Sequence, residues 1–241
     1  MCKFYSAIVM KNGDLLHNEN LTSHEDLIDL FGINDSQNSY DKFVRVEFCP
    51  KDETDLADMS KYVLNVDESI TPDWFEKHRE YVTERLSDIV KKRIITGNLS
   101  LLTGGLYVVK DAQIDRVKSA IVVYMQNSTV NEMWGNSTVN EMRGNSTVNA
   151  MWENSTVNVM WQNSTVNVMW GNSTVNAMLD NSTVKEMREN STVNEMRGNS
   201  TVKEMRGNST VNEMWGNSTV NEMRGNSTVK YHKSSKSLPK K

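Results

Sequence analysis

The chain has 241 residues, room for one or two domains, with 27 Lys+Arg against 31 Asp+Glu and a formal net charge of −4. Residues 1–125 carry 15 basic and 21 acidic side chains, residues 126–233 carry 9 and 10, and the last eight residues add three lysines. That distribution offers neither a broad basic footprint for nucleic acid nor a strong acidic mimic of it. No apolar run approaches the ~20 residues of a membrane-spanning helix.

The opening MCKFYSAIVMKNGD lacks the charged start and long apolar core of a signal peptide, and Cys2 and Cys49 make no disulfide framework. A cytoplasmic location is therefore expected. Phe4 to Met10 reads as a strand, Lys11-Asn12-Gly13-Asp14 as an Asn-Gly turn and Leu15-Leu16-His17 as the return. Thr22-Ser23-His24-Glu25 has the Thr-x-x-Glu form of a capping box ahead of a helix that Gly32 can close. Phe43–Phe48 and Tyr62–Val66 read as two more strands. Thr71-Pro72 is expected to begin the longest helix, with Phe75, Val82, Leu86, Ile89 and Val90 as its apolar stripe and Gly97 as a stop. The order ββαββα predicts a small α+β domain over residues 1–97. The acidic group Asp52, Glu53, Asp55 and Asp58 reads as a solvated loop after Pro50, and no metal ligand is assigned.

Residues 98–125 carry a degenerate eight-residue pattern, Gly104-x-Leu106-x-x-Val109, Ala112-x-Ile114-x-x-Val117 and Ala120-x-Val122-x-x-Met125. From Gln126 to Lys233 follow twelve nonapeptides. In Gly135-Asn136-Ser137-Thr138-Val139-Asn140-Glu141-Met142-Arg143 the places are numbered one to nine. Places two to five are Asn-Ser-Thr-Val in all twelve copies, and place eight is Met in eleven. A helix is excluded, because nine residues make two and a half turns and successive valines would face opposite sides. A β-solenoid fits, two nonapeptides forming a coil of about 18 residues. Strand alternation puts Ser137, Val139 and Met142 inside and Thr138, Glu141 and Arg143 outside, with corners at Asn140 and at Gly135-Asn136. Each repeat then makes two three-residue strands and each coil four sides. Placing His232 where Met is otherwise found reads as a terminal cap, and residues 234–241 as a basic flexible tail. The twelve Asn-Ser-Thr triplets are formal glycosylation acceptors, but their recurrence belongs to the fold.

The stretches GGLYVVKDAQI and NSTVNEM carry a resemblance that covers most of the chain. The sequence distantly resembles the four-sided β-helices of pentapeptide-repeat proteins. It more closely resembles uncharacterised proteins of phages and gut bacteria that join a short α+β head to NSTV-type nonapeptides. The pentapeptide family differs in period, so its gyrase-binding, DNA-mimicking role carries over poorly.

The outward seventh and ninth places vary, and function is expected there. One side of the rod presents Trp134, Trp152, Trp170, Arg188, Arg206 and Arg224 at the ninth place. The other presents Arg143, Trp161, Leu179, Arg197, Trp215 and Lys233. Ala150, Val159, Val168 and Ala177 replace the usual Glu at the seventh place. An apolar band followed by Glu-Arg pairs points to a protein partner or self-association. Two other readings are a band packed under the first domain and a base-stacking platform, the latter opposed by the acidic balance. Enzyme readings find little support: the four histidines are His17, His24, His78 and His232, none in the middle of the repeats. Removal of Met1 would make Cys2 an N-terminal nucleophile, a weaker alternative. The expectation is a non-catalytic scaffold without cofactor, its rival a phage-type inhibitor of a host nucleic-acid enzyme.

Overall fold

The structure, a computed structural model, describes residues 4–36 and 41–239. Cys2 lies outside the described residues. The chain divides between Ile94 and Ile95 into two compact units.

In the first unit the strands β1 (Ser6–Met10), β2 (Leu15–Leu16), β3 (Phe43–Pro50) and β4 (Tyr62–Val66) form an antiparallel sheet in the order β2-β1-β3-β4. Gly13, at φ 92°, closes the β1–β2 hairpin as the Asn-Gly pair requires. Helix α1 spans His24–Phe31 and ends on Gly32 in the left-handed conformation. Its N-cap is Ser23, which accepts from the backbone N–H of Asp26, so the capping pair sits one residue later than Thr22 and Glu25. The long helix expected from Thr71 is two helices, α2 (Asp73–Glu76) and α3 (Arg79–Lys91), with Pro72 at the cap of the first. The break falls where His78 donates its backbone N–H to the Phe75 carbonyl and lays its ring over Gly13. α3 ends at Lys91, well before Gly97. Asp52 and Asp58 cap two short 3-10 turns, which accounts for part of the acidic loop after Pro50. Phe4, Tyr5, Ile8, Leu27, Phe43, Val46, Phe75, Val82 and Leu86 are buried.

The second unit is a parallel β-solenoid. Each nonapeptide contributes one strand, from Thr129–Trp134 to Thr228–Ser234, and consecutive strands enter alternate sheets of eight and nine strands. Register partners within a sheet are Thr138 with Thr156 and Val139 with Val157, identical places one coil apart. At about 4.8 Å per coil the rod is about 35 Å long. The degenerate pattern before the repeats extends back past Gly104, since the strand Leu99–Thr103 pairs with Gln113–Lys118.

Val and Met of nearly every repeat are fully buried and form one continuous core. They stand three residues apart, and an unbroken strand would put them on opposite faces. The strand therefore bends between them: Asn140 drops out of the register that holds Val139 and Glu141 on either side. Hydrogen bonding continues past this bend, so the two expected three-residue strands are one strand of five to seven residues. The amides at the bend pair along the rod, Asn158 donating to Asn140 at 2.9 Å and Asn176 to Asn158 at 2.7 Å. Asn at the sixth place thus serves a ladder as well as turn geometry, while Lys185, Lys203 and Lys230 take the same place without it.

The other corner turns at the first place, where Gly198 has φ 69°. A Cβ on Gly198 would come within 3.1 Å of the Asp180 backbone in the preceding coil. Glu153, Gln162, Asp180 and Glu189 occupy the same left-handed conformation without being glycine. Several offset it with a hydrogen bond: Gln162 accepts from the Gly144 N–H, Asp180 from the Gln162 N–H and Glu189 from the Gly171 N–H. At the far end Ser234 and Ser235 bond the preceding coil, and Leu238 packs against the core. The start of the expected flexible tail is therefore part of the solenoid.

Candidate binding faces of the solenoid

Outward side chains inherit the 18-residue register, so equal places form columns. On the eight-stranded sheet Trp134, Trp152 and Trp170 stack with ring centroids 5.3 Å apart, at interplanar angles of 16° and 5°. Arg188 caps the stack, its guanidinium carbon 4.3 Å from the Trp170 centroid. At the other end the register partner of Trp134 is Lys118. A hollow of about 460 Å³ there is lined by Arg116, Lys118, Trp134 and Glu153. The indoles use their faces on their neighbours, and all three are half-buried.

The seventh-place column beside this stack runs Glu132, Ala150, Val168, Glu186 in register. At its ends the carboxylates engage the ninth place. Glu132 accepts from the Trp134 indole N–H at 2.9 Å and pairs with Arg116, and these contacts hold its carboxyl below the usual range. Glu186 accepts two hydrogen bonds from Arg188, at 2.7 and 2.9 Å. Arg206 bridges Glu204 and Glu186, and Arg224 bridges Glu222 and Glu204. Glu204 is held below the usual range, chiefly by its bond from Arg206. In the middle Ala150 and Val168 cannot accept a bond, and the buried Trp152 Nε1 has no partner among the described residues.

The second face carries Val159, Trp161, Ala177 and Leu179, all half-buried. The Arg143 guanidinium carbon lies 5.4 Å from the Trp161 centroid. Farther along, Trp215 meets the Tyr231 ring at 5.2 Å and Lys233 at 5.3 Å. The sequence candidates thus fall on two faces. Trp134, Ala150, Trp152, Val168, Trp170, Arg188, Arg206 and Arg224 share one, and Val159, Trp161, Leu179 and Trp215 the other. Column position was legible from the period, whereas the mutual burial of the tryptophans follows only from the spacing of the coils.

Fold and faces together define a two-unit protein with a regular parallel β-solenoid. Comparison with protein families, curated proteins and solved structures finds no match.

Proposed function

We propose that the protein is a non-catalytic binding scaffold whose solenoid faces make protein–protein contact, with a second copy or another chain. The observation that carries this reading is the exchange of Glu for Ala150 and Val168 beside the stacked Trp134, Trp152 and Trp170 on one face, and for Val159 and Ala177 beside Trp161 and Leu179 on the other. The result on each face is an apolar stretch bordered by Glu-Arg pairs, the anatomy of an interface core and rim. Stacked indoles have little side-chain freedom left to lose on binding, which lowers the entropic cost of docking. The resemblance to phage and gut-bacterial proteins supports a home in the cytoplasm of a bacterial or phage-infected cell.

The test restores the residue found in most other copies. Val159→Glu with Val168→Glu should be tolerated by the fold, because Glu195 and Glu213 already stack in register in the column of Val159, and Glu186, Glu204 and Glu222 in that of Val168. Sedimentation equilibrium of the wild-type chain should give a mass above the monomer, or capture from bacterial lysate should retain a partner. The double variant should lose either. Equal mass and equal capture in both forms refute the reading, and a captured nuclease or topoisomerase would instead favour inhibition of a nucleic-acid enzyme.

A further inference from the structure

The head contains a group of side chains with no part in the binding faces. His24 opens α1 with only 9% of its side chain exposed, Glu47 lies on β3 and Asp67 follows β4. One ligand atom from each lies within 4.8 Å of the others. His24 Nε2 is 3.0 Å from the Val46 carbonyl oxygen. A carbonyl only accepts, so Nε2 carries a proton and donates it. The other ring nitrogen, Nδ1, faces Asp67 Oδ2 at 3.3 Å. A lone pair and a carboxylate oxygen at that separation repel each other unless a proton or a cation lies between them.

The His24–Asp67 separation suits a cation, and Glu47 stands within 4.8 Å of both. Two ligands about 2.1 Å from a tetrahedral zinc ion stand about 3.4 Å apart. A ligating imidazole whose other N–H donates to a backbone carbonyl has its tautomer and direction fixed, as metal-binding histidines require. Burial of the ring holds it in place before any ion arrives. We propose that His24 Nδ1, Asp67 and Glu47 bind one divalent ion of the zinc type. Nitrogen ligation selects Zn²⁺ or Co²⁺ over Mg²⁺ and Ca²⁺, which prefer oxygen alone. Two carboxylates balance the ion's charge, and the side chain of Asp67, 62% exposed, leaves the remaining coordination open to solvent.

The full chain, freed of metal by a chelator, is titrated with Zn²⁺ against a chromophoric competitor and with Co²⁺ in the visible region. One ion per chain is expected, with the intense band of tetrahedral Co²⁺. Asp67→Asn and Glu47→Gln, each confirmed folded by circular dichroism, should weaken binding at least tenfold. Absence of binding to the wild-type chain overturns the proposal and leaves a proton between His24 and Asp67. Binding that both variants retain unchanged overturns it equally, by assigning the ion elsewhere.

Discussion

The two units bury their apolar side chains in opposite ways. In the head, residues remote in sequence meet: Ile8 of β1, Leu27 and Ile28 of α1 and Phe43 of β3 form one cluster, and Phe75 of α2 and Leu86 of α3 are buried too, each filling a space of its own. In the solenoid, Val and Met meet only their copies one coil before and after and the facing sheet. Loss of one head residue therefore weakens every element at once, whereas loss of one solenoid residue weakens a few coils. Phe75→Ala should cost about 3–5 kcal/mol and Met160→Ala about 2–5 kcal/mol. The difference that matters is its reach. Native-state hydrogen exchange should show Phe75→Ala lowering protection across β1, β3 and α3, and Met160→Ala lowering it near Met142, Met160 and Met178 while distant coils keep theirs. Uniform loss of protection along the whole rod would break the comparison.

The same contrast explains what could be read from the sequence. The repeat supplies twelve aligned copies of one local problem, so inside and outside places follow from alternation alone. The bend at Asn140 is legible because Val139 and Met142 cannot otherwise both point inward. What the period conceals is contact between copies: the hydrogen bond from Asn158 to Asn140 and the Trp134–Trp152 stack arise between identical residues 18 apart. The head offers no such redundancy. Its strands and Gly32 cap are legible from local chemistry, but the break between α2 and α3 depends on where the His78 ring rests. His24, Glu47 and Asp67 are separated by 20 residues or more, and only the sheet brings them together.

A smaller effect separates positions that the repeat makes look equivalent. Gly198→Ala places a side chain at φ 69° and within 3.1 Å of the preceding coil. The left-handed conformation alone costs roughly 1–2 kcal/mol for a residue with a Cβ. Asp180 tolerates the same conformation while its carboxylate accepts from the Gln162 N–H at 3.0 Å. Asp180→Ala keeps the strain and loses that bond, so it should destabilise by a further ~1 kcal/mol, whereas Asp180→Gly should be close to neutral. Urea midpoints of the three variants check the order. Equal midpoints for Asp180→Ala and Asp180→Gly would mean that the first-place side chains do not offset their backbone strain.

The smallest effect concerns the tryptophan face. Trp134 and Trp215 each donate the indole N–H to the Glu two residues before, at 2.9 and 3.1 Å. Trp152 has Ala150 in that position, and its buried N–H has no partner among the described residues. An unmet buried donor costs about 1–3 kcal/mol, while exchanging indole for phenyl gives up part of the contact with Trp134 and Trp170. Trp152→Phe should therefore change stability by less than about 1 kcal/mol, because these opposing effects are of similar size. Ala150→Glu should be stabilising, since the new carboxylate can accept from Trp152 as Glu132 does from Trp134. If Ala150→Glu raises the urea midpoint while abolishing association, the chain carries alanine there at a cost in stability and for the sake of contact. A lowered midpoint would show instead that the mid-rod alanine is needed for packing, which would remove the main support for an interface.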